Sequence, residues 1–330
     1  MKKVLKISLI ALGTIILLAL IIPFFIPIPP LQGVVPPEQL ADEDSKFIEI
    51  NDINIHYKSA GQDRPAFVLL HGFLASTFTW RELIDDLATQ GTVIAFDRPG
   101  FGLTERPLEW QDANPYSSES QVGLTIELMD ALDISEGVLV GNSAGGAIAM
   151  LTSLRYPERV SALILIDPAV YGDAAAPAWI KPLLGLPQIN RIGPYLLRGV
   201  QNWGIEFGKS AWYDPSKITP QISEGYTLPL KAENWDRGLW EFFLASEALN
   251  LETNLRNIKI PVLVITGEND RIVPAEQSIH LSKELPNAQV VVIPQCGHIP
   301  QEECPDAVLK AMNDFLEANN LIPTQSTMSK

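Results

Sequence analysis

Apolar positions run without a single charge from Ile7 to Pro37, and from Ile7 to Ile22 they are interrupted only by Ser8, Gly13 and Thr14. At about 1.5 Å per residue, a helix from Ile7 to Ile28 spans about 30 Å, the depth of a bilayer's hydrocarbon core. Lys2, Lys3 and Lys6 also fit the basic start of a secretory signal. Such a signal, however, has a shorter apolar core and ends at a small-residue cleavage site, which Phe24 to Pro30 does not offer. Residues 1–29 therefore read as an uncleaved transmembrane signal anchor that meets the membrane through residues 7–28. The basic residues before the span and Glu38, Asp42, Glu43 and Asp44 after it put the amino terminus in the cytoplasm and the remaining chain on the outer face. Pro23, Pro27, Pro29, Pro30, Pro36 and Pro37 favour extended backbone, so residues 30–45 read as a semi-rigid spacer holding a domain just off the membrane.

Beyond the spacer the pattern changes. Phe47 to Ile53 and Asn54 to Ser59 form a short antiparallel pair around an Asn51-Asp52 turn. Continuous apolar runs of strand length follow at Ala66 to Leu70, Thr92 to Phe96, Gly137 to Val140, Ala162 to Ile166, Pro261 to Ile265 and Gln289 to Ile293, each trailed by a helical pattern. Runs without alternation indicate strands buried on both faces, as in a parallel sheet covered by helices. The fold class is α/β, with a core at 46–170 and 256–319. About 90 residues separate the strands ending near Ile166 and starting near Pro261, too many for a simple connection, so 171–255 is an insertion. It carries Trp179, Trp203, Trp212, Trp235 and Trp240, five of the seven tryptophans. Each alone is ordinary packing against the core; together they describe an apolar helical cap over a pocket. Residues 320–330 read as a flexible tail.

With 330 residues, 46% of them hydrophobic, the chain supports one catalytic domain with an insertion. The net charge of −15, more negative still without Lys2, Lys3 and Lys6, repels phosphate backbones and argues against a nucleic-acid partner. Cys296 and Cys304 are too few for a disulfide framework, and no Cys/His cluster points to a metal. We read the pair as free thiols, with one small disulfide loop as the alternative in an oxidising compartment.

The candidate chemistry centres on Gly141-Asn142-Ser143-Ala144-Gly145. Residue frequencies alone produce G-x-S-x-G in roughly one chain in ten of this length, so the motif carries weight only through its context. Here it follows a strand and opens the helical run Gly146 to Leu154, the strand-turn-helix setting in which the serine is held on a sharp turn. A serine hydroxyl needs a general base, and that base an orienting acid. His56 lies in the early strand pair, His71 precedes the nucleophile and His280 sits in a helical run. His298 follows the last strand and is the candidate base. Asp270, in Gly267-Glu268-Asn269-Asp270, is the candidate acid, with Asp167 and Glu268 as rivals. The backbone amides of Ala144 and Phe73 are the candidate oxyanion donors. His71 shapes its loop by hydrogen bonding, and Asp97-Arg98-Pro99-Gly100-Phe101-Gly102 reads as a structural turn.

In order and context these five segments, including His71-Gly72-Phe73 and Gly297-His298, resemble the α/β-hydrolase superfamily from about Phe47 to Leu316. The resemblance implies an eight-stranded, mostly parallel sheet, a mobile helical cap after the sixth strand, and no cofactor. Ser143 departs from the epoxide hydrolase and haloalkane dehalogenase branches, which use aspartate. Carbon-carbon bond hydrolases of aromatic breakdown are similar too. They usually have a further glycine where this chain has Phe73, Leu74 and Ala75, and they are normally soluble. An esterase or lipase-like branch acting on a small apolar ester or acylglycerol matches the anchor and the aromatic cap. An acyltransferase uses the same three residues, and a non-catalytic ligand-binding relative keeps the pocket without turnover.

Overall fold

The computed structural model describes residues 2–171 and 180–322. Its centre is one eight-stranded sheet: β1 (Lys46–Ile50), β2 (Ile53–Ala60), β3 (Ala66–Leu70), β4 (Thr92–Phe96), β5 (Gly137–Asn142), β6 (Val160–Ile166), β7 (Val262–Gly267) and β8 (Ala288–Ile293). Their spatial order is β1-β2-β4-β3-β5-β6-β7-β8; β2 runs antiparallel to β1 and β4, and every other pairing is parallel. Asn51 and Asp52 both take positive φ, 52° and 59°, which matches the turn to the twist of the strands it joins.

The sheet is covered on both faces, and β3 shows why its sequence is apolar throughout. Val68 and Leu70 point into one core, under α3 (Ser118–Ala131), α4 (Ala144–Arg155) and α10 (Ala275–Glu284). Phe67 and Leu69 point into the other, with α2 (Ile84–Ala88) and α12 (Pro305–Ala318). Successive side chains alternate between faces, so a strand with helices on both sides has no solvent position. The expectation of two-sided burial fails at β8. It is an edge strand, and Val290 and Val292 are exposed. A run of valines does not encode which strand ends the sheet.

Between β6 and β7 lie α5 (Lys181–Leu184), α6 (Pro187–Leu197), α7 (Val200–Ala211), α8 (Pro220–Thr227) and α9 (Trp235–Ala245). The Pro-rich segment lies on this insertion: Val35 N–H donates to Lys231 O at 2.9 Å and Val35 O accepts from Glu233 N–H at 3.0 Å. Trp212, Trp235 and Trp240 are buried, Trp203 is exposed, and Trp179 lies outside the described residues, as does the tail beyond Ile322. Trp240 stacks on Gly193 of α6 and donates to Asn190 Oδ1 at 2.7 Å, which is simple packing.

The amino-terminal helix, α1 (Lys2–Ile21), continues through one tighter turn at Ile22–Phe24. Its 22-residue window Lys3–Phe24 is long and apolar enough to cross a membrane, and its side chains are almost wholly uncovered by protein. It stops short of Ile28 because Pro23 lacks the amide the next turn needs and disfavours helix at Ile22.

Cys296 and Cys304 are not free thiols. They form a disulfide with Cα atoms 6.5 Å apart, closing a loop that contains His298 and α11 (Pro300–Glu303). The reversal of the chain after β8, which sequence spacing does not disclose, brings them together. Removing the bond with Cys296→Ala/Cys304→Ala lowers unfolding free energy by about 2 kcal/mol. Urea denaturation of the oxidised protein and the double variant checks this.

Candidate active site

Ser143 sits at the junction of β5 and α4 with φ 53° and ψ −121°. A non-glycine residue in this region costs about 1–3 kcal/mol, so the surroundings must enforce it. They do so through contact closer than any side chain allows. A Cβ on Gly145 would meet Leu70 O at 2.1 Å, and one on Gly141 would meet Gly145 O at 2.6 Å. Glycines two positions either side of the serine let α4 start directly against β3. Ser143 N–H donates to Ile166 O at 2.9 Å, and its carbonyl accepts from Gly146 and Ala169 at 3.0 and 3.1 Å. Ala144 is the first residue of α4, so its amide has no acceptor within the helix. The loop after β3 packs onto the same turn, because a Cβ on Gly72 would lie 3.3 Å from Ser143 Cβ. Phe73 follows that glycine, and its ring stacks with Phe242 of α9 at 5.9 Å.

His298 and Asp270 reach this point from the loops after β8 and β7. His298 Nδ1–H donates to Asp270 Oδ2 at 2.6 Å, and Asp270 Oδ1 accepts from the amides of Ile272 and Val273 at 2.7 and 3.0 Å. The three contacts of this carboxylate are thus divided between its oxygens, and Nδ1–H leaves Nε2 as the basic nitrogen. Ser143 and His298 both wall a cavity of about 450 Å³ under the cap. Its other walls include Phe73, Leu74, Val200, Phe207, Trp212 and Trp235.

The rival acids separate. Glu268 is exposed. Asp167 is buried at φ 45°, and its carboxyl, the Asp270 carboxyl and the His298 ring offer atoms all within 4.8 Å of one another. Burial, and then the charge of Asp270, push the Asp167 carboxyl well above the usual carboxylate range. Its Oδ1 accepts from Thr266 Oγ1 at 2.5 Å and Gly267 N–H at 3.2 Å. The Asp270 carboxyl, not that of Asp167, is the one bonded to the imidazole.

His71 and Asp97 are framework. His71 Nδ1–H donates to Gly72 O at 2.7 Å while Nε2 accepts from Arg98 N–H at 3.1 Å, which fixes a neutral ring. Burial, with the Arg98 charge beside it, lowers this imidazole to about 3. Burial alone raises Asp97, but the contact with His56 Nδ1 at 2.7 Å and the Leu103 amide outweigh it and hold the carboxyl at about 2. At Gly102 a Cβ would fall 1.9 Å from that carboxyl, which explains one glycine of the turn.

Two positioning groups escaped the sequence. Glu303 accepts from the amides of Gly297, Tyr213 and Asp214 at 2.8, 2.9 and 2.8 Å, binding the His298 loop to the cap. Asn142 Nδ2 donates to His298 O at 3.2 Å and Ile166 O at 3.1 Å. Asn142 was visible as the variable position of the motif. Nothing in the sequence marks a glutamate that holds backbone amides.

A family model described as alpha/beta hydrolase fold matches residues 65–305. The chain belongs to that family. The 2-hydroxy-6-oxononadienedioate/2-hydroxy-6-oxononatrienedioate hydrolase of Comamonas testosteroni is 31% identical over 288 residues, covering 82% of this chain and 96% of the relative. Among solved structures, a thermophilic esterase from Thermogutta terrifontis superposes with a TM-score of 0.69 at 22% identity, over 83% of this chain and 99% of that one. A membrane phospholipase A superposes with a TM-score of 0.66 at 22% identity, over 97% of this chain and 99% of that one. The α/β-hydrolase chain described here is therefore a hydrolase whose relatives include both a carbon-carbon bond enzyme and, by fold, an esterase.

Because burial and Asp270 favour the uncharged form of Asp167, Asp167→Asn keeps an oxygen for the Thr266 and Gly267 contacts and lowers turnover by no more than about fivefold. Asp270→Asn, which loses the charge facing His298, lowers it about 10⁴-fold. Steady-state kinetics on one ester substrate, with both variants checked for folding by circular dichroism, separates the two acids.

Proposed function

We propose that this hydrolase cleaves carboxylic esters with an apolar acyl group through an acyl-enzyme intermediate. Ser143 Oγ attacks the carbonyl carbon as His298 Nε2 takes its proton, and the amides of Phe73 and Ala144 receive the negative charge on the carbonyl oxygen. His298 returns the proton to the leaving alcohol, and Asp270 stabilises the imidazolium between the two transfers. Water, deprotonated by the same nitrogen, then attacks the acyl-enzyme and releases the acid. No cofactor enters these steps.

The observation that carries this reading is the cavity wall. Carbon-carbon bond hydrolysis is the second reading, favoured by the identity with the Comamonas testosteroni enzyme. The substrate in that enzyme's name is a dicarboxylate, whose charges call for cations free to pair with them. In this cavity both terminal nitrogens of Arg106, the ones that would form a fork on a carboxylate, donate to backbone carbonyls, of Thr104 at 2.8 Å and of Gly102. Lys209 pairs with Glu206 at 2.8 Å. The remaining walls are largely aromatic and aliphatic, which supports an uncharged, apolar substrate. An acyltransferase and a non-catalytic ligand-binding protein remain separable by the same experiment.

Ser143→Ala is expected to abolish both hydrolysis and covalent labelling by a fluorophosphonate. A panel of esters graded by acyl length, acylglycerols, lactones and vinylogous diketones is expected to give its highest kcat/KM on the esters or acylglycerols. A preference for the diketones sinks the ester reading, and an unlabelled wild-type serine sinks catalysis altogether.

The same reading divides the chain into an anchor at 1–29, a Pro-rich segment at 30–45, a core at 46–170 and 256–319 with a cap at 171–255, and a tail at 320–330. The amino terminus lies in the cytoplasm and the catalytic domain on the outer face. The Cys296–Cys304 disulfide supports an oxidising compartment for that domain. Protease added outside intact cells is expected to digest the domain; a protected domain reverses the orientation.

A further inference from the structure

The cap does not merely follow the apolar helix in sequence; it grips it. Gln188 Nε2 donates to Leu20 O at 3.1 Å, and Arg191 donates to Pro23 O and Ile26 O, both at 3.2 Å. Arg198 Nη1 donates to Pro29 O at 2.5 Å, while its Nε pairs with Asp236 at 2.8 Å. The contacts to Leu20 and Pro23 satisfy carbonyls that a helix end leaves without partners, with Arg191 at the negative end of the helix dipole, and those to Ile26 and Pro29 hold the chain beyond it. They also fix a level. Leu20 lies one turn before Phe24, the end of the apolar window, so the start of α6 sits about 6 Å inside the span.

What the cap presents at that level is apolar. Leu183 on α5 and Leu186 just after it are exposed, Leu196 on α6 is 66% exposed and Trp203 on α7 is 42% exposed, and Phe25 of the exit segment is exposed as well. Charge is distributed the same way. Between Ile180 and Ile205 there are three basic residues, Lys181, Arg191 and Arg198, and no acidic one, in a chain of net charge −15. An apolar face without an acidic residue of its own, in an otherwise acidic protein, matches the boundary between acyl chains and headgroups. Facing the other way, α7 lines the cavity with Val200, Gly204 and Phe207, so the wall between this face and Ser143 is one helix thick.

We propose that the outer face of α5 to α7 is a membrane-docking surface, seated in the lipid interface beside α1, through which the cavity takes its acyl substrate from the bilayer. This rests on α1 spanning the membrane and on the ester reading of the site. The occupant is lipid: the face is continuous with the span, and the hydrogen bonds to Leu20, Pro23, Ile26 and Pro29 hold it at the span's depth. A second copy of the chain is the competing occupant.

The full-length protein in vesicles of phosphatidylcholine and phosphatidylglycerol, brominated near the upper end of the acyl chain, tests this. Trp203 emission is taken as the difference between wild type and Trp203→Phe. Bromine is expected to quench it, and iodide in the water is expected not to. Leu196→Glu/Trp203→Glu is expected to lower hydrolysis of a long-chain ester in the same vesicles about tenfold, with a water-soluble short ester hydrolysed as before. Emission quenched by iodide, or shielded from both quenchers as between two copies, overturns the proposal. Flotation separates the underlying readings. Protein that does not float with vesicles fails at the anchor and takes the proposal with it. Protein that floats with Trp203 open to iodide fails at the cap alone. The quenching readout does not depend on which bond the enzyme cleaves.

Discussion

Ser143 is held in a backbone conformation it would not choose, between a strand and a helix that touch through glycine. The rest of the molecule is arranged to hold that turn. β5 is central, with β3 on one side and β6 on the other, and its last residues have no freedom to shift. Gly145 lies against the carbonyls of Leu70 and His71, so the serine turn and the loop after β3 are one packed unit. Strain of this kind persists only where the surroundings over-determine it. The same contact sets the loop after β3 beside the start of α4.

Around that unit the protein uses polar groups to fix backbone instead of leaving the loops to packing. Neutral His71 and the Asp97 carboxylate bind the loops after β3 and β4. Glu303 binds the histidine loop to the cap, and Asn142 ties the carbonyl of His298 to the serine strand. Asp167 lies beside Asp270, and burial with that neighbouring carboxyl pushes it well above the usual carboxylate range. Asp270 is held by the imidazole and two amides, and Asp167 by Thr266 and Gly267, so each carboxyl has its own set of donors.

The cap gives the site its character. Its aromatic side chains close an apolar cavity over the serine, and the cations in the wall are occupied by backbone and by neighbouring acids. The family uses one set of three residues on several bonds, so the walls decide what enters. Here those walls belong to α7, α8 and α9, and α6, packed on α9, holds the end of the apolar amino-terminal helix.

Much of this was legible from residues alone. Apolar runs set the strands, since a strand covered on both faces admits no polar position, and the order Ser143, Asp270, His298 followed from which side chains end or follow those strands. Periodicity is local, and so is a motif. Tertiary contacts decided the rest: that β8 is an edge, that Cys296 and Cys304 meet, that Asp270 and not Asp167 faces His298, that Glu303 gathers three amides, and that the cap lies along the exit of α1. Each joins segments far apart in sequence or reversed by a turn, and no spacing of residue types records the distance between them.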